Sequence, residues 1–348
     1  MKMKAKLPTI KDIAAKAGVN HCVVSHVLHN DAYAAKVRPD TRERILAISK
    51  EMGYLRNSMA SAIRTGQVNT IAVIMNFKRM LNVASSNQLM IGIMMETSLR
   101  HLSVKIFSED DLENAFRTIM ENRIGKVISL SVDAAIRERT AEIAENNSLD
   151  LVFCYEHGHG RFPTVNIDNA GITADAVHYF AGRGHSRIGL LCVPHGNYHV
   201  FQERHEGYLR GMAECGLEVD PRWVCCSGET EKSIDSMLAL PKKQRPTAFI
   251  ALADVVAARA QRYAWEKGLR IPEEFSVTGI GDTECSEYAM VPITTFREIL
   301  PESGRLLVRL VLGEKIGIES DEFNVYRTHA EMIERKSVFN LNKNRRSK

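Results

Sequence analysis

At 348 residues, 45% hydrophobic and 25% charged, the chain is long for one domain and too apolar for disorder, so two or three folded domains are expected. The net charge is only +4, but residues 1–66 hold twelve Lys or Arg against five acids, which makes them +7 and leaves −3 for the rest. A basic head on a mildly acidic body fits an anionic partner, nucleic acid or a membrane surface, or else a solvated face.

The seven cysteines include no C-x-x-C pair, which reads as a reduced, cytoplasmic protein rather than a disulfide framework. The basic start leads into no apolar segment, and no apolar run reaches bilayer length. Neither a secretory signal nor a membrane partner is therefore expected.

In chain order, residues 9–17 predict a short helix, with Thr9 as cap, Asp12 in a capping-box position and Ile10, Ile13, Ala14 and Ala17 on one face. Gly18 stops it. Asn20 caps a second helix, His21 to about His29, with Val23, Val24, Val27 and Leu28 turned inward. A loop spans Asn30–Val37. Pro39 opens a third helix with Ile45, Ile48 and Met52 as its inner stripe, and Gly53 ends it. Residues 54–67 read as a short helix and linker, too short and polar to be stable alone. From Thr70 the pattern changes. TIAVIM, KVISLSV, LDLVFCY, RIGLLCV, TAFIAL and FSVTGIG are strand-type runs that alternate with helical stretches, the signature of βαβ units around parallel sheets. More than one sheet is expected. The polar, basic end NLNKNRRSK predicts disorder.

Two short helices joined at a tight glycine turn, the second small and polar on its outer side, form a helix-turn-helix. Ala14 and Gly18 supply the small side chains its packing needs. The plainer alternative is any small three-helix bundle.

TIKDIAAKAGVNHCVVSHVLHN resembles the headpiece of the lactose-repressor/galactose-repressor family of bacterial transcription regulators. The likeness continues through RPDTRERILAISKEMGYLRNSMASAIRTG and into GRGHSRIGLL, ERHEGYLRGM, GLRIPEEFSVTGIGD and PITTF. It implies an α-helical helix-turn-helix headpiece (1–56), a hinge helix and linker (57–67), an α/β core of two doubly wound parallel-sheet lobes of the periplasmic-binding-protein type (68–335) and a flexible basic tail (336–348). The resemblance also implies a homodimer on palindromic double-stranded operator DNA, controlled by a small-molecule effector between the lobes, a sugar or related metabolite. A repressor is the expected function. The tail lacks the leucine heptads of tetrameric members, which favours a dimer.

By position, His21, Cys22 and His26 are expected to face base edges. Thr9, Asn20, Ser25, Thr41 and Tyr54 are expected to contact phosphates or position the headpiece. In the hinge, Asn57 and Ala60 face the minor groove, and Ile63 stands where the family has a wedging Leu or packs on the partner hinge. Three departures stand out: His26 where Arg is usual, Val23 where Thr is usual, and Arg56 where Pro is usual. A neutral imidazole makes one bond per nitrogen, whereas Arg makes a bidentate contact to guanine. In the core, Arg204 matches the family's ligand-binding Arg within R-x-x-G-[FY]. Asp254 and Asp282 match two acidic positions, and Asn76, Phe77 and Tyr155 are further wall candidates. Ala253 and Gly281 replace polar residues beside those acids, which argues against a common neutral hexose.

Other patterns carry less. His21, Cys22, His26 and His29 lie on a helix meant for DNA, and 21 and 26 do not share a face, so no metal is expected. His157-Gly-His159 reads as a polar loop and Cys225-Cys226 as strand core. No nucleophile elbow, Walker loop, dinucleotide fingerprint or zinc spacing supports an enzyme or a cofactor. A sugar-binding protein without DNA binding is the remaining rival, and the helix-turn-helix counts against it.

Overall fold

The computed structural model describes residues 8–29, 33–54, 68–78, 84–155, 157–192, 199–225 and 229–342. The chain divides into two compact units, 1–68 and 69–348.

In the first unit, α1 (Ile10–Ala17) and α2 (His21–His29) are followed by a 3₁₀ turn (Ala34–Lys36) and α3 (Pro39–Glu51). Thr9 caps α1 in a reciprocal box: its hydroxyl accepts from Asp12 N, and its own N–H donates to the Asp12 carboxylate at 2.7 Å. Gly18 ends α1 at φ 66°, a left-handed conformation that a side chain resists. Asn20 Oδ1 accepts from Cys22 N at 2.8 Å and so starts α2. Ile13, Ala14, Ala17, Val24, Val27 and Ile45 are buried together, with Ile48, Met52 and Tyr54 packed around them. The expected hinge at 57–67, with Asn57, Ala60 and Ile63, lies outside the described residues.

The second unit holds two six-stranded sheets. Its first part runs β1 (Thr70–Met75), α4 (Ala84–Leu99), β2 (Ser103–Ser108), α5 (Leu112–Glu121), β3 (Lys126–Ser129), α6 (Ala134–Asn146), β4 (Asp150–Cys154) and β5 (Thr164–Ile167). There follow α7 (Asn169–Gly182), β6 (Ile188–Leu191), α8 (His199–Glu214), β7 (Val224–Cys225), α9 (Thr230–Leu238), β8 (Ala248–Ala251), α10 (Asp254–Glu266), β9 (Ser276–Ile280), α11 (Glu284–Glu287) and β10 (Thr294–Glu298). Then come α12 (Leu300–Val311), β11 (Val325–Thr328) and β12 (Ala330–Ile333). The first sheet has the order β11-β5-β4-β3-β1-β2 and is parallel throughout. The second has the order β12-β10-β9-β8-β6-β7, parallel except for β12.

The chain passes between the lobes three times, each time from the carboxyl end of a strand: β5 into α7, β10 into α12, and β11 into β12. Each crossing is short, so the three are drawn together. Asp168 N donates to Thr328 O at 2.9 Å, and Ser303 Oγ lies 3.2 Å from Thr328 Oγ1. Carboxyl ends of parallel strands are where open α/β sheets hold ligands.

The tail departs from the expectation of flexibility from residue 336. Lys336 N donates to Pro292 O and Leu341 N to Arg183 O. Ser337 is buried, with its hydroxyl between Thr294 N and Val277 O. The imidazole of His185 contacts Phe339 O at 2.9 Å. Residues 336–342 therefore belong to the second lobe, and their polarity reflects backbone and side-chain bonds made to it. Residues 343–348 lie outside the described residues.

Candidate functional site

The headpiece presents one polar helix face. Val24 and Val27 are buried under α2, which turns Asn20, His21, Cys22, Ser25 and His26 toward its outer side. Two further predicted contacts have local roles here. The Thr9 hydroxyl donates to Asp12 at 2.7 Å within the capping box, and Tyr54 packs at the edge of the core. Thr41 stands in the first turn of α3, partly exposed, with its hydroxyl 3.5 Å from Asp40 Oδ1. Basic side chains at Lys11, Lys16, Lys36, Arg38, Arg42, Arg44 and Lys50 surround this unit.

In the core, Arg204 is the centre of the structure around the three crossings. Its helix α8 lies against α7, and a Cβ on Gly207 would land on the Ala170 carbonyl. The glycine of R-x-x-G thus lets the two backbones touch and carries Arg204 into the crossing. Arg204 is buried. Its Nε donates to Asn169 Oδ1 at 2.9 Å, Nη1 to Leu252 O at 2.8 Å, and Nη2 to Glu298 Oε1 at 2.5 Å. The adjacent Glu203 is buried too and reaches the other lobe. It accepts from Asn169 Nδ2 at 2.9 Å and Asn166 Nδ2 at 3.4 Å, and from Arg327 Nη1 at 3.0 Å. Asn169 joins the two networks, because its amide oxygen serves Arg204 and its amide nitrogen serves Glu203. One opposite-charge pair, Arg204–Glu298, reaches the second crossing, and the other, Glu203–Arg327, reaches β11, which leads into the third.

Asp254 and Asp282 come close to one another but turn onto the chain's own donors. Asp254, at the start of α10, accepts from Thr295 Oγ1 at 2.5 Å and from Thr283 N and Oγ1 at 2.7 and 3.0 Å. Burial pushes its carboxyl up, against the pull of those donors. Gly279 makes room for it, since a Cβ there would strike Asp254 Oδ1. Asp282, at φ 49°, takes Arg297 Nε and Arg335 Nη2, both at 2.7 Å. Burial pushes its carboxyl up, but the two guanidinium groups outweigh burial and hold it below the usual carboxylate range.

On the first lobe, Asn76 follows β1 and donates to Glu109 Oε1 at 2.8 Å. Phe77 beside it is exposed, and Tyr155 follows β4 at φ 61°, partly buried. Close by in sequence, the His157 ring meets the His199 ring edge-on at 5.2 Å, which puts first-lobe and second-lobe imidazoles in contact. Burial lowers the His157 pKa, and His199 lowers it further.

Sequence reasoning missed Asn166, Asn169, Glu203, Glu298 and Arg327. Glu203 is next to a residue that was singled out, but its partners are 34 and 124 positions away. No local spacing encodes such pairs.

Comparison with known proteins agrees with both units. Residues 9–57 match the family described as bacterial regulatory proteins, lacI family, and residues 177–338 match the periplasmic binding protein-like domain. The chain is 29% identical over 337 residues to the HTH-type transcriptional repressor CytR of Escherichia coli (strain K12), covering 90% of this chain and 93% of that protein. It is 26% identical over 350 residues to the HTH-type transcriptional repressor PurR of Aliivibrio fischeri (strain MJ11), covering 96% and 99%. In fold it resembles the lac repressor dimer bound to operator and the anti-inducer ONPF, with a TM-score of 0.72 at 22% identity over 96% and 100% of the two chains. With a helix-turn-helix at its start that matches the lacI family of bacterial regulatory proteins and a two-lobed periplasmic-binding-protein-like core behind it, the chain is similar over nearly its whole length to repressors of this kind.

Proposed function

We propose that this protein is a cytoplasmic transcriptional repressor that binds a palindromic operator in double-stranded DNA as a homodimer and is controlled by a small molecule held where its lobes meet. The observation that carries this reading is the pairing, in one chain, of a capped helix with an outward polar face and a core whose three crossings converge on Glu203 and Arg204. Its relatives CytR and PurR are named as repressors.

In this reading His21, Cys22 and His26 read base edges. Thr9, Asn20, Ser25, Thr41 and Tyr54 position the headpiece, and Asn57, Ala60 and Ile63 enter the minor groove at the operator centre. The effector, a sugar or related metabolite, lies against Arg204, with Asn76, Phe77 and Tyr155 on the first-lobe side. Asp254 and Asp282 act by holding the second-lobe wall. An effector that competes with Glu298 for Arg204 loosens the crossing, alters lobe closure and so changes the grip on DNA. Dimerisation is supported by α4, whose Ile91, Met94, Met95 and Leu99 are exposed while Leu89, Met90 and Ile93 are buried on its other side. Contiguous exposed apolar side chains of this kind mark an interface.

The test couples the two units. With operator-bound protein, a panel of sugars and related metabolites is screened for a compound that raises the unfolding midpoint of the full chain. The reading expects such a compound to change operator affinity at least fivefold, in either direction. A compound that stabilises the core yet leaves operator affinity unchanged contradicts it.

A further inference from the structure

An aromatic side chain outside α2 stands against the helix face that reads DNA in the function proposed above. Tyr33 opens the 3₁₀ turn Ala34–Lys36, where Lys36 N donates to Tyr33 O at 3.0 Å. Side chains three apart in such a turn eclipse. Lys36 Nζ accordingly lies 4.8 Å from the centroid of the Tyr33 ring, within cation–π range. The same ring meets the His26 imidazole at 5.1 Å between centroids, tilted by 39°, a normal aromatic contact. Ala34, next to Tyr33 in the turn, is buried and anchors the turn to the headpiece. Tyr33 itself stays 59% exposed, far more than packing alone requires.

We propose that Tyr33 is a positioning residue for operator recognition: its ring fixes the plane of the His26 imidazole toward a base edge, and Lys36 carries the charge of the stack toward a phosphate. The need for such a residue follows from the chemistry of His26. A neutral imidazole offers one donor and one acceptor, which alone discriminates bases less than the bidentate fork of Arg. A single hydrogen bond is selective only while the ring is held. Contact with Tyr33 removes the ring's freedom before DNA arrives, so less ordering is left for binding. Lys36, and the Tyr33 hydroxyl, then serve as backbone contacts that set register without reading sequence.

The inference rests on the reading of His26 as a base contact, and the two are separable by experiment. Full-length protein is measured on a selected operator and on operators changed one base pair at a time. The variants are His26→Ala, Tyr33→Ala, Tyr33→Phe and His26→Ala/Tyr33→Ala, each with its unfolding midpoint recorded. The expected result is that Tyr33→Ala relaxes preference about fivefold at the same base pair that His26→Ala relaxes. The double variant goes no further, and Tyr33→Phe, which keeps the ring, keeps most of the preference. If His26→Ala relaxes a base pair and Tyr33→Ala does not, the positioning role falls and the His26 reading stands. A uniform loss across all operators with Tyr33→Ala also overturns it, leaving only a backbone contact. If His26→Ala changes no preference, the reading of His26 falls and the positioning role with it. Should Tyr33→Ala fail to fold, loss of preference in Tyr33→Phe at unchanged midpoint overturns the proposal, and retention upholds it against a variant that removes only the hydroxyl.

Discussion

Arg204 and Glu298 form a buried ion pair at 2.5 Å, and such a pair is more sensitive to losing one member than to losing both. Arg204→Ala leaves the Glu298 carboxylate buried without its cation, and is expected to destabilise the core by about 3–5 kcal/mol. Arg204→Ala/Glu298→Ala is expected to recover at least half of that loss. Urea unfolding of the three variants measures the coupling, and strictly additive losses would show that the two side chains act independently. Loss of effector response in Arg204→Ala is therefore informative only beside the double variant. A second residue-scale expectation concerns pH. Burial lowers the pKa of His185, and of the more exposed His157 and His159. A histidine whose folded pKa is depressed takes up its proton on unfolding, so its contribution is present above the unfolded pKa and is lost as pH falls below it. The unfolding midpoint of the chain should fall between pH 7.5 and 5.5, and His185→Gln should flatten that dependence. A midpoint that rises over this range contradicts the assignment.

The motif R-x-x-G couples a charged group to a packing requirement, and the element α8 shows why. Gly207→Ala would drive a methyl into the Ala170 carbonyl and part α8 from α7. It is expected to cost about 1–3 kcal/mol and to weaken any effector response with Arg204 still present. Denaturant unfolding with ligand titration checks both, and an unchanged midpoint would show that the helices have room to move. How far such features could be read from sequence depended on range. The headpiece was legible because each device is local: Thr9 with Asp12, Asn20 with Cys22 N, and Gly18 at positive φ. The long apolar runs gave β1, β3, β4, β6, β8 and β9. Strand β2 was missed because SVKIFS sits at the sheet edge and is half exposed along its length, which blurs the apolar signal. Strand β7 is two residues long, and β11 (VYRT) and β12 (AEMI) mix polar with apolar residues and are only partly buried, so none of them forms an apolar run. The docking of 336–342 was invisible because hydrogen bonds to Ser276, Pro292 and Arg183 hold it rather than an apolar stripe. At the candidate site, Arg204 was found from its motif, but the carboxylates that hold it in place were not. Nor did the sequence reveal that Asp254 and Asp282 face inward onto Thr283, Thr295, Arg297 and Arg335.

At the scale of the whole molecule, the proposed reading of a palindromic operator requires two headpieces at once, so the proposal includes self-association. Helix α4 is apolar on both sides, and α12 covers only one of them, where Gly92 and Gly304 let the helices touch. The proposal of a homodimer through that outer face predicts that Met94→Glu yields monomers by light scattering at micromolar concentration while the wild type is dimeric. A variant that stays dimeric would move the interface elsewhere. The proposed operator recognition by paired headpieces is tested by selection of duplexes from a random pool by the full-length protein at about 0.15 M salt, followed by sequencing. Paired headpieces should enrich an inverted repeat, two half-sites of equal sequence about a central axis, with affinity that falls steeply as salt is raised. Retention of all duplexes alike, or enrichment of a single unrepeated site, would contradict it.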